Sequence, residues 1–190
     1  MRNVWWIYKL KAKKLKGIEV LIGSQRNQRV LLRCVRESGG GFDVIVNDGG
    51  HTSNSINNSF DVLWESLAPG GLYFIEDLHV SRHPGHEDSE GAHIMPDVIE
   101  AWIELLLISS EWVKPDLPPR VTDMRDTHPL PSNVDKILCQ YEACVIAKAG
   151  KEISTSMPSS QSGLEKPMRV LFPLQVSLFQ RIPKVQGARL

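Results

Sequence analysis

Hydrophobic and polar positions alternate in blocks along this chain, and the blocks predict alternating strands and helices. Positions 17–23 (GIEVLIG) read as a short buried strand. Positions 27–37 carry Val30, Leu31, Cys34 and Val35 at helical spacing, and Ser38-Gly39-Gly40-Gly41 stops that helix. Positions 42–46 (FDVIV) form the next strand, which runs into Asn47-Asp48-Gly49-Gly50-His51. Positions 52–67 place Ile56, Phe60, Leu63 and Leu67 on one stripe of a helix, closed by Ala68-Pro69-Gly70-Gly71. A third strand at 72–75 ends in Glu76-Asp77. Positions 79–93 are polar and histidine-rich, as expected of a loop. Positions 96–112 form the longest helical pattern, with Val98, Trp102, Leu105 and Ile108 on a core face and Pro96 in the first turn. Positions 114–133 hold five prolines and read as a loop, and 137–149 supply one or two closing strands.

Strand-helix-strand-helix-strand order implies crossovers, and hence an α/β fold with a parallel sheet covered on both faces. Three segments follow from the pattern: a basic aromatic lead-in at 1–16, a globular domain at 17–149, and a tail at 150–190. The lead-in has six Lys/Arg and no acid. Its apolar run is too short for a signal peptide, and a solvated lead-in is favoured over a membrane-surface segment. The tail is rich in Ser, Pro, Gln and basic residues, with one apolar patch at 170–174, and is expected to be poorly ordered.

Composition narrows the class. The 190 residues are enough for one domain with a real core, and 42% apolar with 23% charged content is ordinary for a globular protein. The formal net charge of zero argues against a nucleic-acid binder. No apolar run is long enough to span a bilayer. Three cysteines without CxxC spacing fit a reducing, cytoplasmic setting and no disulfide framework.

In open parallel sheets, ligands sit outside the carboxyl ends of the strands. Asp48, Glu76 and Asp77 all fall on that rim. Three converging carboxylates repel one another unless a cation joins them, and hard oxygen donors select Mg²⁺, Mn²⁺ or Ca²⁺. Such a site leaves coordination positions open for water or substrate oxygens. His51 follows a Gly-Gly turn, and a histidine beside a metal-bound hydroxyl is a natural general base. The plain alternatives are an Asp48 or Thr52 helix cap, a solvated strand end at Glu76-Asp77, and a turn histidine. Taken together, the residues weigh the two readings evenly. A zinc cluster of His79, His83, His86 and His93 is disfavoured by its loose spacing.

The stretch FDVIVNDGGHTSNSINNSFDVLWESLAPGGLYFIEDLH resembles the metal-dependent sugar O-methyltransferases of antibiotic biosynthesis, the mycinamicin and rhamnosyl-tetracenomycin type. Their pattern is an (I/V)-D-D-G-S-H strand end, an S-F pair, a P-G-G turn and Y-x-I-E-D-L-H. Here these read Asn47-Asp48-Gly49-Gly50-His51, Ser59-Phe60, Pro69-Gly70-Gly71 and Tyr73-Phe74-Ile75-Glu76-Asp77-Leu78-His79. The weaker resemblance extends from about Gly17 to Lys148 and includes a G-(D/S)-Q turn at Gly23-Ser24-Gln25.

The resemblance implies a Rossmann-like class I fold that uses S-adenosylmethionine (SAM) and Mg²⁺. It implies Asp48, Glu76 and Asp77 as metal ligands and His51 as general base. Gln25 and Asp48 would face the cofactor, and His79 the substrate. The acceptor would be a sugar or glycosylated small molecule. Asn47 and Gly50 depart from the family's Asp and Ser. The first strands, the Gly-rich SAM turn and the ribose-binding acid of the class I fold are not recognisable before Gly17. Their loss is expected to open the middle of the sheet, leaving a truncated, split or degenerate domain whose complement comes from another chain or a homo-oligomer. The rival readings are a catalytically inactive interaction protein that keeps the fold core, and a metal-dependent hydrolase.

Overall fold

A computed structural model describes residues 4–8, 18–83, 93–108, 119–150 and 168–173. They form one seven-stranded sheet with helices. In chain order the elements are β1 (Val4–Tyr8), β2 (Ile18–Ile22), α1 (Gln28–Ser38), β3 (Phe42–Asn47), α2 (Ser53–Leu63), β4 (Leu67–Ile75), α3 (Met95–Ile108), α4 (Pro119–Thr127), β5 (Val134–Gln140), β6 (Ala143–Lys148) and β7 (Val170–Pro173). Short 3₁₀ turns follow α2 at Trp64–Ser66 and β4 at Leu78–Arg82. The sheet order is β2-β1-β7-β3-β4-β6-β5. The pairs among β2, β1, β7, β3 and β4 are parallel, while β6 runs antiparallel to both β4 and β5.

Local sequence explains most of these elements. Asn27 caps α1 by accepting the Arg29 N–H at 3.0 Å, and Gly39, at φ 76°, ends the helix in the left-handed conformation. The α2 stripe packs as its spacing predicts: Ile56, Phe60 and Leu63 are buried, and Leu67 follows them into the core. Phe60 stacks on Trp64 and meets Tyr73 and Trp102 at centroid distances of about 5 Å, so one aromatic cluster joins α2, β4 and α3. Ser53 Oγ accepts the Met95 N–H at 2.9 Å and fixes the start of α3.

Several expectations are corrected. The helix expected over 52–67 is shorter: it tightens into a 3₁₀ turn at Trp64, and β4 begins at Leu67. Part of the proline-rich stretch expected as a loop is helical, because Pro119 suits a first helical turn. The cysteines do form a disulfide, Cys139–Cys144, because β5 and β6 set them opposite one another. The histidine-rich loop falls largely outside the described residues. Within them, His79 pairs with Glu142 and His93 with Asp123.

The largest correction concerns the middle of the sheet, which is filled rather than open. The lead-in contributes β1 and the tail's apolar patch contributes β7, side by side between β2 and β3. Sequence patterning missed this because a four-residue strand carries too little periodicity to be assigned to a distant partner. Residues 1–3, 9–16, 151–167 and 174–190 lie outside the described residues.

Arg169 holds β7 in place. Its backbone N–H donates to Asp43 Oδ2 at 2.7 Å, its guanidinium donates to the Ser38 and Gly40 carbonyls, and it lies 5.7 Å over the Phe42 ring. The α1–β3 turn is thereby tied to the incoming strand. Replacing Arg169 with alanine removes two charged donors from carbonyl acceptors, and is expected to cost about 2 kcal/mol in urea unfolding. An unchanged midpoint would show that β7 docks without this anchor.

Candidate functional site

β3 and β4 pair in parallel as far as Asn47↔Ile75, and the Glu76 N–H continues the ladder to the Asn47 carbonyl at 3.1 Å. Both strands therefore end at one edge. Alternation along β4 buries Tyr73 and Ile75 and sends Phe74 and Glu76 to the other face. Asp77 then takes a left-handed backbone, φ 53°, and the chain turns into the 3₁₀ segment. Across the gap, β3 delivers Asp48, and Gly49-Gly50 leads to His51.

Asp48, His51 and Asp77 converge, with one ligand atom from each lying within 4.8 Å of the others. His51 Nε2 stands 3.6 Å from Asp77 Oδ2. All three side chains are partly buried. Glu76, expected in the ligand set, is not part of this trio, because strand alternation directs it differently from Asp77. It stays within electrostatic reach. Burial raises its pKa, Asp48 and Asp77 raise it further, and His51 opposes them. Burial likewise raises the Asp48 pKa, with His51 lowering and Asp77 raising it. Two carboxyls pushed toward their neutral forms by desolvation and by neighbouring carboxylates mark a place where a cation would be welcome. Asp77 also belongs to a second group with His79 and Glu142, where His79 Nδ1 lies 3.4 Å from Glu142 Oε1.

The helix-cap alternative for Asp48 loses its ground. Thr52 takes the N-cap position of α2, yet its hydroxyl bonds the Arg26 and Ser55 side chains instead of a backbone N–H of the helix. Arg26 reaches both Thr52 Oγ1 and Ser55 Oγ, at 2.8 and 2.9 Å, and Asn58 Nδ2 donates to the Gln25 carbonyl at 2.8 Å. The Ser24–Asn27 turn is thus clamped onto the start of α2. Pattern reading passed over Arg26, Asn58 and Glu142, since lone polar residues on turns and helix faces carry no motif. In α2 the polar residues Ser55 and Asn58 do not stand out, because Ser53, Asn54, Asn57, Ser59 and Asp61 share the same helix.

Gln25 sits beneath this clamp, only 3% exposed. Its Nε2 donates to Asn47 Oδ1, and Asn47 Nδ2 donates to the Tyr73 hydroxyl, each at 3.4 Å. Gln25 Oε1 is buried with no partner among the described residues. It presses on Gly49, where a Cβ would come within 1.7 Å of it. Gly49 is therefore glycine for close approach, not for a turn alone. Beside the Asp77 edge runs a groove of about 430 Å³, lined by Leu78, His79, Arg82, Tyr141 and Glu142 among others.

No protein-family model matches the chain. The L-olivosyl-oleandolide 3-O-methyltransferase of Streptomyces antibioticus is 43% identical over 61 residues, 32% of this chain and 16% of that protein. The mycinamicin VI 2''-O-methyltransferase of Micromonospora griseorubida is 37% identical over 68 residues, 36% of this chain and 17% of that protein. The chain thus matches about a sixth of the length of these relatives. Among solved structures, MycE methyltransferase from the mycinamycin biosynthetic pathway, in complex with Mg and SAH, superposes with a TM-score of 0.57 at 22% identity. That match covers 82% of this chain and 41% of MycE. A further MycE structure, which also contains mycinamycin VI, gives 0.56. Among the described residues, no helix is long and apolar enough to cross a membrane. The fold is the Rossmann-like fold seen in MycE, and over about a third of its length the chain is similar in sequence to sugar O-methyltransferases of macrolide and tetracenomycin pathways.

Proposed function

We propose that this chain handles the metal and the acceptor in SAM-dependent O-methylation of a sugar hydroxyl. The observation that supports this reading best is the convergence of Asp48, His51 and Asp77 at the carboxyl edge of a class I methyltransferase sheet. The donor set fits a hard divalent cation: carboxylates from two adjacent strand ends, with Asp48 and Glu76 raised first by burial and then by neighbouring carboxylates. Asp48 and Asp77 would hold Mg²⁺, and Glu76 would add its charge from beside them. Bound there, Mg²⁺ would acidify a chelated acceptor hydroxyl. His51 accepts the hydroxyl proton, and the Asp77 carboxylate, 3.6 Å from Nε2, stabilises the imidazolium that forms. The groove beside Asp77 has room for a sugar or a glycosylated small molecule. For the methyl donor, the fitting feature is Gln25 Oε1, a buried acceptor without a partner next to Gly49. SAM would supply a sulfonium methyl group, and the chain's part is to align the acceptor with it.

A second reading is a fold-retaining protein without catalysis. It is favoured by the sheet's middle positions, which in the class I order belong to the strands bearing the SAM turn and the ribose acid. Here they are filled by Val4–Tyr8 and Val170–Pro173. Calorimetry separates the readings. Methyl transfer expects saturable SAM binding, tightened by Mg²⁺. Absence of both leaves the non-catalytic reading, and turnover of an ester without SAM would indicate a hydrolase.

Two substitutions test the assigned roles. His51→Ala should lower turnover by about 10²–10⁴-fold while Mg²⁺ affinity changes little. Losing affinity and turnover in parallel would make His51 a ligand instead of the base. Gly49→Ala should displace Gln25 and cost about 1–3 kcal/mol in urea unfolding. Adding Gln25→Ala should recover most of that loss, and a neutral single substitution would refute the tight approach.

A further inference from the structure

Cys139 and Cys144 face each other across the β5–β6 ladder, joined by a disulfide with Cα atoms 4.1 Å apart. The bond closes a loop of sequence separation 5. So short a loop removes little entropy from the unfolded chain, and the flanking pairs Leu138↔Val145 and Gln140↔Ala143 already hold the two strands. The bond therefore adds little to stability, and its location is what distinguishes it. Cys139 is exposed, whereas Cys144 is 7% exposed. Between them the hairpin tip carries Glu142. The Glu142 carbonyl accepts the Leu78 N–H at 3.0 Å, and its carboxylate pairs with His79. Leu78 and His79 directly follow Asp77, and the ligand atoms of Asp77, His79 and Glu142 lie within 4.8 Å of one another. The stapled tip thus grips the segment that positions Asp77.

We propose that Cys139–Cys144 is a thiol–disulfide exchange site for a dithiol reductant, and that its state sets how firmly the hairpin tip holds the Asp77–His79 edge. A thiolate of the dithiol attacks the sulfur of exposed Cys139. The S–S bond breaks, and Cys144 leaves as a thiolate that takes a proton. The second thiol of the reductant then closes on the mixed disulfide and releases Cys139 as a thiol. The cysteine pair has gained two electrons and two protons, and the reductant departs as its own disulfide. The β5–β6 ladder survives the change, so the response is local. Cys34 supplies an internal control. It is fully buried, with its thiol pushed up to about 11 chiefly by burial, and stays out of exchange.

The test uses the whole 190-residue chain, oxidised with glutathione disulfide and then treated with dithiothreitol without denaturant. Maleimide tagging read by mass should show Cys139 and Cys144 protected before reduction and accessible after it, with Cys34 protected throughout. Amide exchange at residues 76–82 should then rise about threefold or more, while exchange in α2 stays unchanged. A Cys139→Ser, Cys144→Ser chain should show the faster exchange and no response to dithiothreitol. Tagging of both cysteines after oxidation would overturn the proposal, as would resistance to native reduction, opening that leaves 76–82 unaltered, or opening that also loosens α2. If the double variant fails to fold, the oxidised and reduced wild-type chains decide. Neither readout depends on methyl transfer, so this proposal and the functional reading can fail separately.

Discussion

The parallel register of β3 on β4 is the constraint on which the site depends. Asn47 opposite Ile75, with the ladder extended by the Glu76 N–H, fixes where both strands stop. A slip of β4 by one residue would turn Tyr73 and Ile75 out of the core, and the loss of two fully buried side chains forbids it. The aromatic cluster around Phe60 secures Tyr73 from one side, and β6 pairs with β4 from the other. Held this way, two carboxylates that are 29 positions apart in sequence meet at one edge. The register of β6 then carries the β5–β6 hairpin tip to the same edge, where it reaches Leu78 and His79.

Beneath that edge the polar chain Gln25–Asn47–Tyr73 runs through the core. Asn47 is 1% exposed, and a charge there would be costly without a full set of partners. An amide serves both neighbours, accepting from Gln25 and donating to the Tyr73 oxygen. A carboxylate has no N–H to donate and would need the Tyr73 hydroxyl to turn its own hydrogen inward. The neutral residue where the family resemblance expects an acid is thus compatible with this packing. It also leaves the repulsion at the rim to Asp48, Glu76 and Asp77.

Legibility in the sequence follows the range of the determining interaction. The α2 stripe, the glycine stop after α1 and the acid-bearing ends of β3 and β4 depend on neighbours a few residues away, and they could be read directly. The trio of Asp48, His51 and Asp77 could be read in part, because strand order alone puts acids on one rim. The position of Glu76 relative to the trio depended on strand alternation and the left-handed turn at Asp77. What stayed hidden was tertiary. The Cys139–Cys144 pairing needed the β5–β6 register, the Arg26 and Asn58 clamp needed the docking of a loop on α2, and β7 needed a partner from far along the chain.

That last dependence bears on how the molecule is made. β7 pairs with β3 through contacts that include Arg169 to Asp43, a separation of 126 residues. Contacts of such sequence range are entropically late, because a long loop must close before they return any energy. On a ribosome, β3 would emerge and pair with β4 while its other edge stayed without a partner until residue 170 appeared. For that interval the nascent sheet has a bare interior edge made of Val44, Ile45 and their neighbours, a template for pairing with another chain. Synthesis rate and chaperone access while residues 76–170 are being made would then bear on yield alongside the stability of the finished fold.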